Sequence, residues 1–212
     1  MMNSCIMLGC TLYTGVDFMA AFKSEDLIDP GIERDSHLTV LYSEGQEIPR
    51  EKLPEIMETI LGESDWENLI SEFKAQTPKP VTEYFSLGVF PGEDKDFLVL
   101  VLQPDTPLYD TLQILHTGLK GHYGVSTKFP EYKPHMTLAT FESGKAKDYV
   151  FNPTLGLILE KATFTLDDFI LSYGLPEEPG DRKRYQVTTE NAVSRFFRLL
   201  RAEKEAEYYN NL

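Results

Sequence analysis

Two short segments of the sequence each place a histidine two residues before a threonine on an apolar background. They are Ser36–Leu41 (SHLTVL) and Lys133–Leu138 (KPHMTL). Side chains on a β-strand alternate between its two faces, so the histidine and the threonine of each segment point to the same side. The apolar residues beside them point to the other side and can enter a core: Leu38, Val40, Met136 and Leu138. Each segment therefore predicts a strand that presents one half of a polar site.

Two histidines on opposite sides of one phosphorus atom can divide the work of cleaving a phosphodiester. A neutral imidazole removes a proton from water or from a ribose hydroxyl, and a protonated imidazole donates one to the leaving oxygen. Two threonine hydroxyls can hydrogen-bond the non-bridging oxygens, where negative charge accumulates. The acid/base candidates are His37 and His135, and the candidate phosphate contacts are Thr39 and Thr137.

This chemistry needs no metal, and the sequence contains neither a His-Glu-x-x-His motif nor paired cysteines with metal-ligand spacing. No cofactor is therefore expected. The alternative interpretation is that His37 and His135 are structural residues at sheet edges. The remaining histidines lack such a context, and we predict His116 on a helix surface and His122 in a loop.

Composition limits the possible functions. The chain has 212 residues, enough for one large domain or two small lobes, and a formal net charge of -14. This acidity argues against an extended basic surface for long nucleic acid, but it leaves room for a small phosphate ligand held by local donors. Two cysteines, Cys5 and Cys10, are too few for a disulfide framework, so we expect a reduced, cytoplasmic protein. No segment has the ~20 apolar residues of a membrane span.

Periodicity and turn residues predict a mixed α and β chain. We predict helices at about 16–26, 50–61, 64–74, from Thr106-Pro107 onwards, at about 144–149, and from Asn191 to the C-terminus. Strands are predicted at about 8–14, 36–43, 81–90, 96–103, through the second histidine segment, and at 155–166, 168–173 and 184–188.

The predicted elements repeat in two halves of the chain. Each half runs strand, helix, His-x-Thr strand, helix, strand, over about residues 8–90 and 96–166. Such a repeat predicts two pseudo-symmetric lobes whose His-x-Thr strands face each other across a cleft. We assign residues 1–190 to one bilobal domain, with lobes at about 8–90 and 96–175, and residues 191–212 to a C-terminal helix and tail.

The two motifs resemble those of the 2H phosphoesterase superfamily. The form aromatic-x-Pro-His-x-Thr-Leu at Tyr132–Leu138 is the most specific part. The superfamily includes RNA 2',3'-cyclic phosphodiesterases, the so-called 2'-5' RNA ligases, and phage enzymes that destroy cyclic oligonucleotide immune signals. The resemblance, over about residues 8–175, implies an α+β, bilobal LigT-like fold with antiparallel sheets lining a central cleft and helices outside. It also implies that His37 and His135 are the acid/base pair and that Thr39 and Thr137 clamp the phosphate.

Within the superfamily, Thr11–Gly15 (TLYTG) looks like the start of the phage anti-CBASS phosphodiesterases. This resemblance implies that Tyr13 and Lys23 contact the bound nucleotide. Those enzymes also use a Glu and a Trp near the C-terminus, for which this chain has no counterpart, because its single tryptophan is Trp66.

Further candidates for substrate binding surround the two motifs. Tyr132 and Tyr173 could each stack on a nucleobase or be packed strand residues. Arg34 and Lys133 could each contact phosphate or be solvated surface residues.

The sequence therefore predicts a metal-independent phosphodiesterase for a small nucleotide. The expected substrate is a cyclic oligonucleotide second messenger first, and a 2',3'-cyclic phosphate second. The alternatives are a non-hydrolytic cyclic-nucleotide sponge and an RNA-processing, 2'-5' ligase-like protein. Neither long nucleic acid nor a membrane is an expected partner, and the oligomeric state is left open.

Overall fold

The computed structural model describes residues 3–16, 18–32, 36–62, 78–126, 131–175 and 178–187. Arg34 and the predicted helices at 64–74 and from Asn191 onwards lie outside these ranges. Two antiparallel sheets and several helices form the described part, which confirms the predicted α+β class. No helix in these ranges has the length and apolar character needed to cross a membrane.

The elements have the following bounds. The strands are β1 (Asn3–Tyr13), β2 (Leu27–Ile32), β3 (His37–Ser43), β4 (Lys79–Pro80), β5 (Phe85–Pro91), β6 (Lys95–Leu102), β7 (His135–Glu142), β8 (Thr163–Leu175) and β9 (Glu178–Val187). The helices are α1 (53–62), α2 (Val81–Tyr84), α3 (Pro107–Tyr123), α4 (Lys147–Val150) and α5 (Pro153–Lys161), with 3-10 turns at Phe18–Ala21 and Ser24–Asp26.

Each His-x-Thr strand pairs with the long strand that precedes it in the repeat. The first sheet has the order β3-β1-β8-β4, with β9 also paired to β8, and the second has the order β2-β7-β6-β5. The pairs β1–β3 and β6–β7 are both antiparallel and both carry a motif. The repeat expected from the sequence is thus present at the level of these two strand pairs.

The two sheets exchange strands between the halves of the chain. β2 and β5 precede the second repeat in sequence but belong to the second sheet, whereas β8 follows it and belongs to the first sheet. Neither sheet is therefore built from one contiguous half of the chain.

The core lies on the faces of the sheets opposite the predicted polar faces. All four apolar residues that flank the motif residues are buried in it, as predicted: Leu38, Val40, Met136 and Leu138. Helix α3 contributes a buried stripe of leucines at helical spacing: Leu108, Leu112, Leu115 and Leu119. The Thr106 side chain accepts a hydrogen bond from the backbone N–H of Tyr109 at 3.3 Å and caps this helix, as its sequence predicted.

The predicted strand at 155–166 is wrong, because residues Pro153–Lys161 form helix α5. The Asn152 side chain accepts the backbone N–H of Leu155 at 3.1 Å, and Pro153 occupies the first turn. Both are helix start signals. Strand β8 begins only at Thr163.

Two other local predictions need correction. The segment predicted as a helix at 16–26 forms two separate 3-10 turns, which is consistent with the high cost of nucleating a short helix. The segment predicted as one strand at 81–90 begins with the helical turn α2, and only Phe85–Pro91 is extended. The backbone N–H of Val81 donates to the carbonyl of Ala162 instead of to a sheet partner.

Candidate active site

His37 and Thr39 lie on β3, at the edge of the first sheet. His37 is opposite Gly9, and Thr39 is opposite Met7. Directly opposed residues of an antiparallel pair point to the same face, so Met7 shares the face of the motif. Met7 is buried but does not belong to the main hydrophobic core. The first motif therefore lies on the face of the sheet turned away from that core.

His135 and Thr137 have the same arrangement on β7. His135 is opposite Val101, and Thr137 is opposite Val99. Val99 is buried and, like Met7, lies outside the main core. The second motif is therefore also on the face turned away from the core.

A β-bulge follows each motif at the same position. Thr39 pairs with Met7, but Leu41 pairs with the adjacent residue of β1, Ile6. Val40 is therefore the additional residue in β3. In β7 the register passes from Thr137 to Ala139 in the same way, with Leu138 added. A bulge bends its strand and redirects nearby side chains, and bulges are frequent next to active sites.

The two motifs are close to each other. β3 and β7 are in contact, although they belong to different sheets. Burial lowers the pKa of His135, and the charge of nearby His37 lowers it further, whereas a hydrogen bond to the Lys133 carbonyl acts in the opposite direction. The structure thus brings together the two histidines that the sequence singled out.

The tautomer of His135 follows from its hydrogen bond. Its Nδ1 lies 2.7 Å from the carbonyl oxygen of Lys133. A carbonyl oxygen can only accept, so Nδ1 carries a hydrogen and the neutral ring has its lone pair on Nε2. With a lowered pKa, His135 is suited to accept a proton at Nε2.

Phe90 is a neighbour of His135 that sequence reasoning missed. The two ring centroids are 4.5 Å apart, with an interplanar angle of 61°. Phe90 lies on β5 opposite Phe97 of β6, and both rings are half-buried on the face that carries His135. This contact joins two strands that β6 separates, and the sequence shows only a phenylalanine before a Pro-Gly turn.

The strand next to the first motif faces polar side chains on its other side. A Cβ atom on Gly9, the residue opposite His37, would lie 3.2 Å from the Cβ of Asp167 on β8, so the glycine leaves room for this side chain on the other side of β1. The Thr11 hydroxyl donates to Asp167 at 2.9 Å, and the next residue, Asp168, accepts a 2.6 Å hydrogen bond from Gln186. Sequence reasoning missed Asp167 as well.

Tyr132 and Lys133 lie immediately before the second motif. The Tyr132 hydroxyl donates to the carbonyl oxygen of Thr39 at 2.9 Å, and its ring stacks on His116. Burial raises the pKa of the Tyr132 hydroxyl. The Lys133 side chain is exposed and forms an ion pair with Glu131 at 3.0 Å. Tyr132 is therefore adjacent to both motifs, but its hydroxyl and one ring face are engaged within the protein.

The other two histidines both lie on α3. His116 is half-buried and not a surface residue as predicted, because its Nδ1 donates to the Val40 carbonyl at 2.8 Å. His122 is exposed in the last helical turn and not in a loop.

Tyr13 ends β1 and is exposed. It is four residues beyond Gly9, which at about 3.3 Å per residue corresponds to roughly 13 Å along the strand. By alternation, Tyr13 shares the face of Gly9 and Thr11. The structure therefore places Tyr13 at the outer end of the face that carries His37.

Lys23 lies far from the histidines. Its backbone N–H donates to the Tyr149 hydroxyl at 3.1 Å, and its charge is one of the influences that lower the pKa of Asp26, after the hydrogen bond from Tyr149. Leu27, at the start of β2, pairs with Phe141. Phe141 is six residues along β7 from His135, or roughly 20 Å.

Tyr173 lies on β8, away from His37. It is buried, and its hydroxyl donates to the carbonyl oxygen of Ile48. Tyr173 pairs with Ser4, which is five residues along β1 from Gly9, or roughly 16 Å. The structure does not bring its ring to the histidine pair.

In the described ranges, no group of three or more His, Cys, Asp or Glu side chains is arranged to hold a metal ion. The candidate site consists of two imidazoles, two threonine hydroxyls and their neighbours.

Comparison with known proteins gives similarities at the level of structure. No protein-family model matches the sequence, and no curated protein matches it. The structure is similar to Usb1 of Kluyveromyces marxianus with uridine monophosphate, at 11% identity and a TM-score of 0.45, covering 87% of this chain and 98% of that one. It is also similar to E. coli LigT complexed with 3'-AMP, at 13% identity and a TM-score of 0.41, covering 88% and 96%. With TM-scores below 0.5, these similarities do not by themselves establish a function for this chain.

Proposed function

We propose that this protein is a phosphodiesterase that cleaves a small nucleotide phosphodiester with His37 and His135 and without a metal ion. The observation that carries the proposal is the close approach of two His-x-Thr motifs from distant parts of the sequence. Each motif lies on a face turned away from the core, and each is followed by the same bulge. Two imidazoles with two adjacent hydroxyls match the groups needed for acid/base cleavage at phosphorus.

The surroundings of the histidines suggest a division of roles. His135 has a lowered pKa and an Nε2 lone pair, so it removes the proton from the attacking hydroxyl of water or ribose. The new phosphorus–oxygen bond forms as the bond to the leaving oxygen breaks, and His37 in its protonated form donates a proton to that oxygen. The hydroxyls of Thr39 and Thr137 donate to the non-bridging oxygens as their charge increases. The proton taken up by His135 offsets the one released by His37.

A cyclic oligonucleotide immune messenger is the substrate we favour, with a 2',3'-cyclic phosphate second. The net charge of -14 disfavours long nucleic acid, which requires many basic contacts to phosphates. Tyr13 lies at the outer end of the His37 face, where it can contact a nucleoside next to the scissile phosphate. Destruction of such a messenger would serve a phage in evading host immunity.

The test is hydrolysis of cyclic di- and trinucleotides and 2',3'-cyclic mononucleotides in EDTA. Wild type is compared with His37→Ala, His135→Ala and, as a matched control, His122→Ala, which changes an exposed histidine at the end of α3. We expect turnover that survives EDTA, is lost in the first two variants and is unchanged in the third. Loss of turnover in EDTA would contradict the metal-free mechanism. Tight binding without turnover would instead identify a protein that sequesters the nucleotide.

A further inference from the structure

His116 and Tyr132 form a stacked pair along the outer edge of β3. Their ring centroids are 4.0 Å apart and their planes differ by 5°. The Tyr132 hydroxyl donates to the Thr39 carbonyl at 2.9 Å, and His116 Nδ1 lies 2.8 Å from the Val40 carbonyl. The pair thus binds two consecutive carbonyl groups, one of the motif threonine and one of the bulged residue.

Among the described residues, no strand pairs with β3 along the edge where these carbonyls lie. Within the ranges that the structure describes, β3 pairs with β1 along one edge, so the backbone groups on its other edge need different partners. Two side chains do so at the bulge, where the strand bends. Their hydrogen bonds therefore fix the backbone that directs His37 and Thr39.

The same pair is connected to the second motif through the backbone that follows Tyr132. Tyr132 is three residues before His135, and the intervening backbone is held at two points. The Lys133 carbonyl accepts from His135 Nδ1 at 2.7 Å, and the Pro134 carbonyl accepts the backbone N–H of Leu102 on β6 at 2.9 Å. A movement of Tyr132 relative to Thr39 would consequently change the separation of the two motifs.

We propose that His116 and Tyr132 are positioning residues that set the distance and orientation between the two His-x-Thr motifs without contacting the substrate. The catalytic part of this inference rests on the proposed function. The tyrosine hydroxyl is bonded to β3 and one face of its ring is covered by His116, so the pair acts through the backbone of Thr39 and Val40. Misplacement of catalytic groups by about 1 Å can reduce a rate by up to about 100-fold, so the contribution is large enough to measure.

The test uses Tyr132→Phe, which keeps the stacked ring and removes only the hydroxyl, and His116→Phe, which keeps a ring and removes the donor. Two controls remove hydroxyls elsewhere. Ser43→Ala removes a 2.7 Å hydrogen bond to the Gln46 carbonyl at the far end of β3, and Tyr123→Phe removes a hydroxyl with no described partner. Both controls retain the contacts to Thr39 and Val40.

Two readouts separate positioning from general stability. We expect kcat to fall about tenfold in Tyr132→Phe and in His116→Phe with KM within about twofold, and both parameters to stay near wild type in the controls. NMR titration of the imidazoles supplies a second readout that needs no substrate. In Tyr132→Phe the motifs separate, so His135 loses part of its burial and of the influence of His37, and its pKa rises towards the ordinary value.

The outcomes distinguish failure of this inference from failure of the proposed function. A wild type that cleaves nothing, together with a raised His135 pKa in Tyr132→Phe, would overturn the function and support the positioning role. An unchanged His135 pKa and an unchanged kcat in Tyr132→Phe would overturn the positioning role, whatever the wild type cleaves. A fall in kcat of the same size in Ser43→Ala would also overturn it, since the effect would then follow from weakening β3 in general.

Discussion

The two His-x-Thr motifs have the same backbone arrangement but different surroundings. His135 lies beside Phe90 and opposite Val101, and burial lowers its pKa. His37 lies opposite Gly9, where a carboxylate approaches the same face. The repeated strand pair with its bulge places both imidazoles in the same way, and the side chains of neighbouring strands make them chemically different. Pairs of titratable groups with divergent surroundings are how one site supplies both an acid and a base.

The sharpest test of this asymmetry varies the leaving group. If His37 is the acid, His37→Ala should lose about 10³-fold in kcat on a nucleotide diester but much less on a p-nitrophenyl diester, whose leaving group needs no proton. His135→Ala should lose similar factors on both substrates. Steady-state kinetics with the two substrate types measures this, and the reverse pattern would exchange the two roles.

Substitutions of the two threonines should have more similar effects on kcat than substitutions of the two histidines. Thr39→Val and Thr137→Val each remove a hydroxyl and retain a β-branched side chain of similar size. We expect each to lower kcat by about 100-fold, because a donor to the transition-state charge is lost. An effect confined to KM in either variant would show that its hydroxyl binds the ground state equally well.

Phe90 offers a way to change the surroundings of His135 alone. A general base acts only when deprotonated, so kcat/KM falls as the pH drops through its pKa. Because burial lowers the pKa of His135, the wild-type acid limb should lie below the ordinary histidine value of about 6.5. Phe90→Ala exposes the imidazole ring of His135 and raises its pKa, so the acid limb of the kcat/KM profile moves to higher pH. Phe90→Leu retains an apolar neighbour and should stay near wild type, and an acid limb that is unmoved in Phe90→Ala would contradict this account.

A matched pair of glycine substitutions compares the two faces. Gly9→Ala would place a Cβ 3.2 Å from Asp167 Cβ, and Gly88→Ala would place one 3.2 Å from Val101 Cγ2. We expect Gly9→Ala to raise KM several-fold, since the added methyl group lies on the face that carries His37 and crowds Asp167, and Gly88→Ala to have a smaller effect through an apolar contact. Equal effects on KM would indicate that the two faces respond alike to crowding.

The motif strands were predictable because their information is local. Alternation around His37 and His135 gave the strands and the burial of their apolar neighbours, and Thr106-Pro107 gave the start of α3. Helix α5 was missed although its start signals at Asn152 and Pro153 are also local. The apolar run that follows them was interpreted as a strand.

The remainder depends on pairing between distant segments. The bulges at Val40 and Leu138 exist only relative to β1 and β6. The approach of Phe90 to His135 likewise joins two strands that β6 separates, and no local pattern in the sequence indicates it. From the sequence, Tyr132 is either a base-stacking residue or a packed strand residue, and its bond to the Thr39 carbonyl cannot be foreseen from the order of residues.

The exchange of strands between the sheets has a consequence for synthesis and folding. β1 lies between β3 and β8 in the first sheet. It therefore lacks one of its two neighbouring strands, β8, until residues 163–175 have left the ribosome. Pairings between such distant segments slow folding, because long loops must close before any contact is gained. An early fragment that carries only the first motif would expose an unpaired edge of β1. Both halves of the acid/base pair should therefore appear together in one late cooperative step, and no nascent fragment should be active.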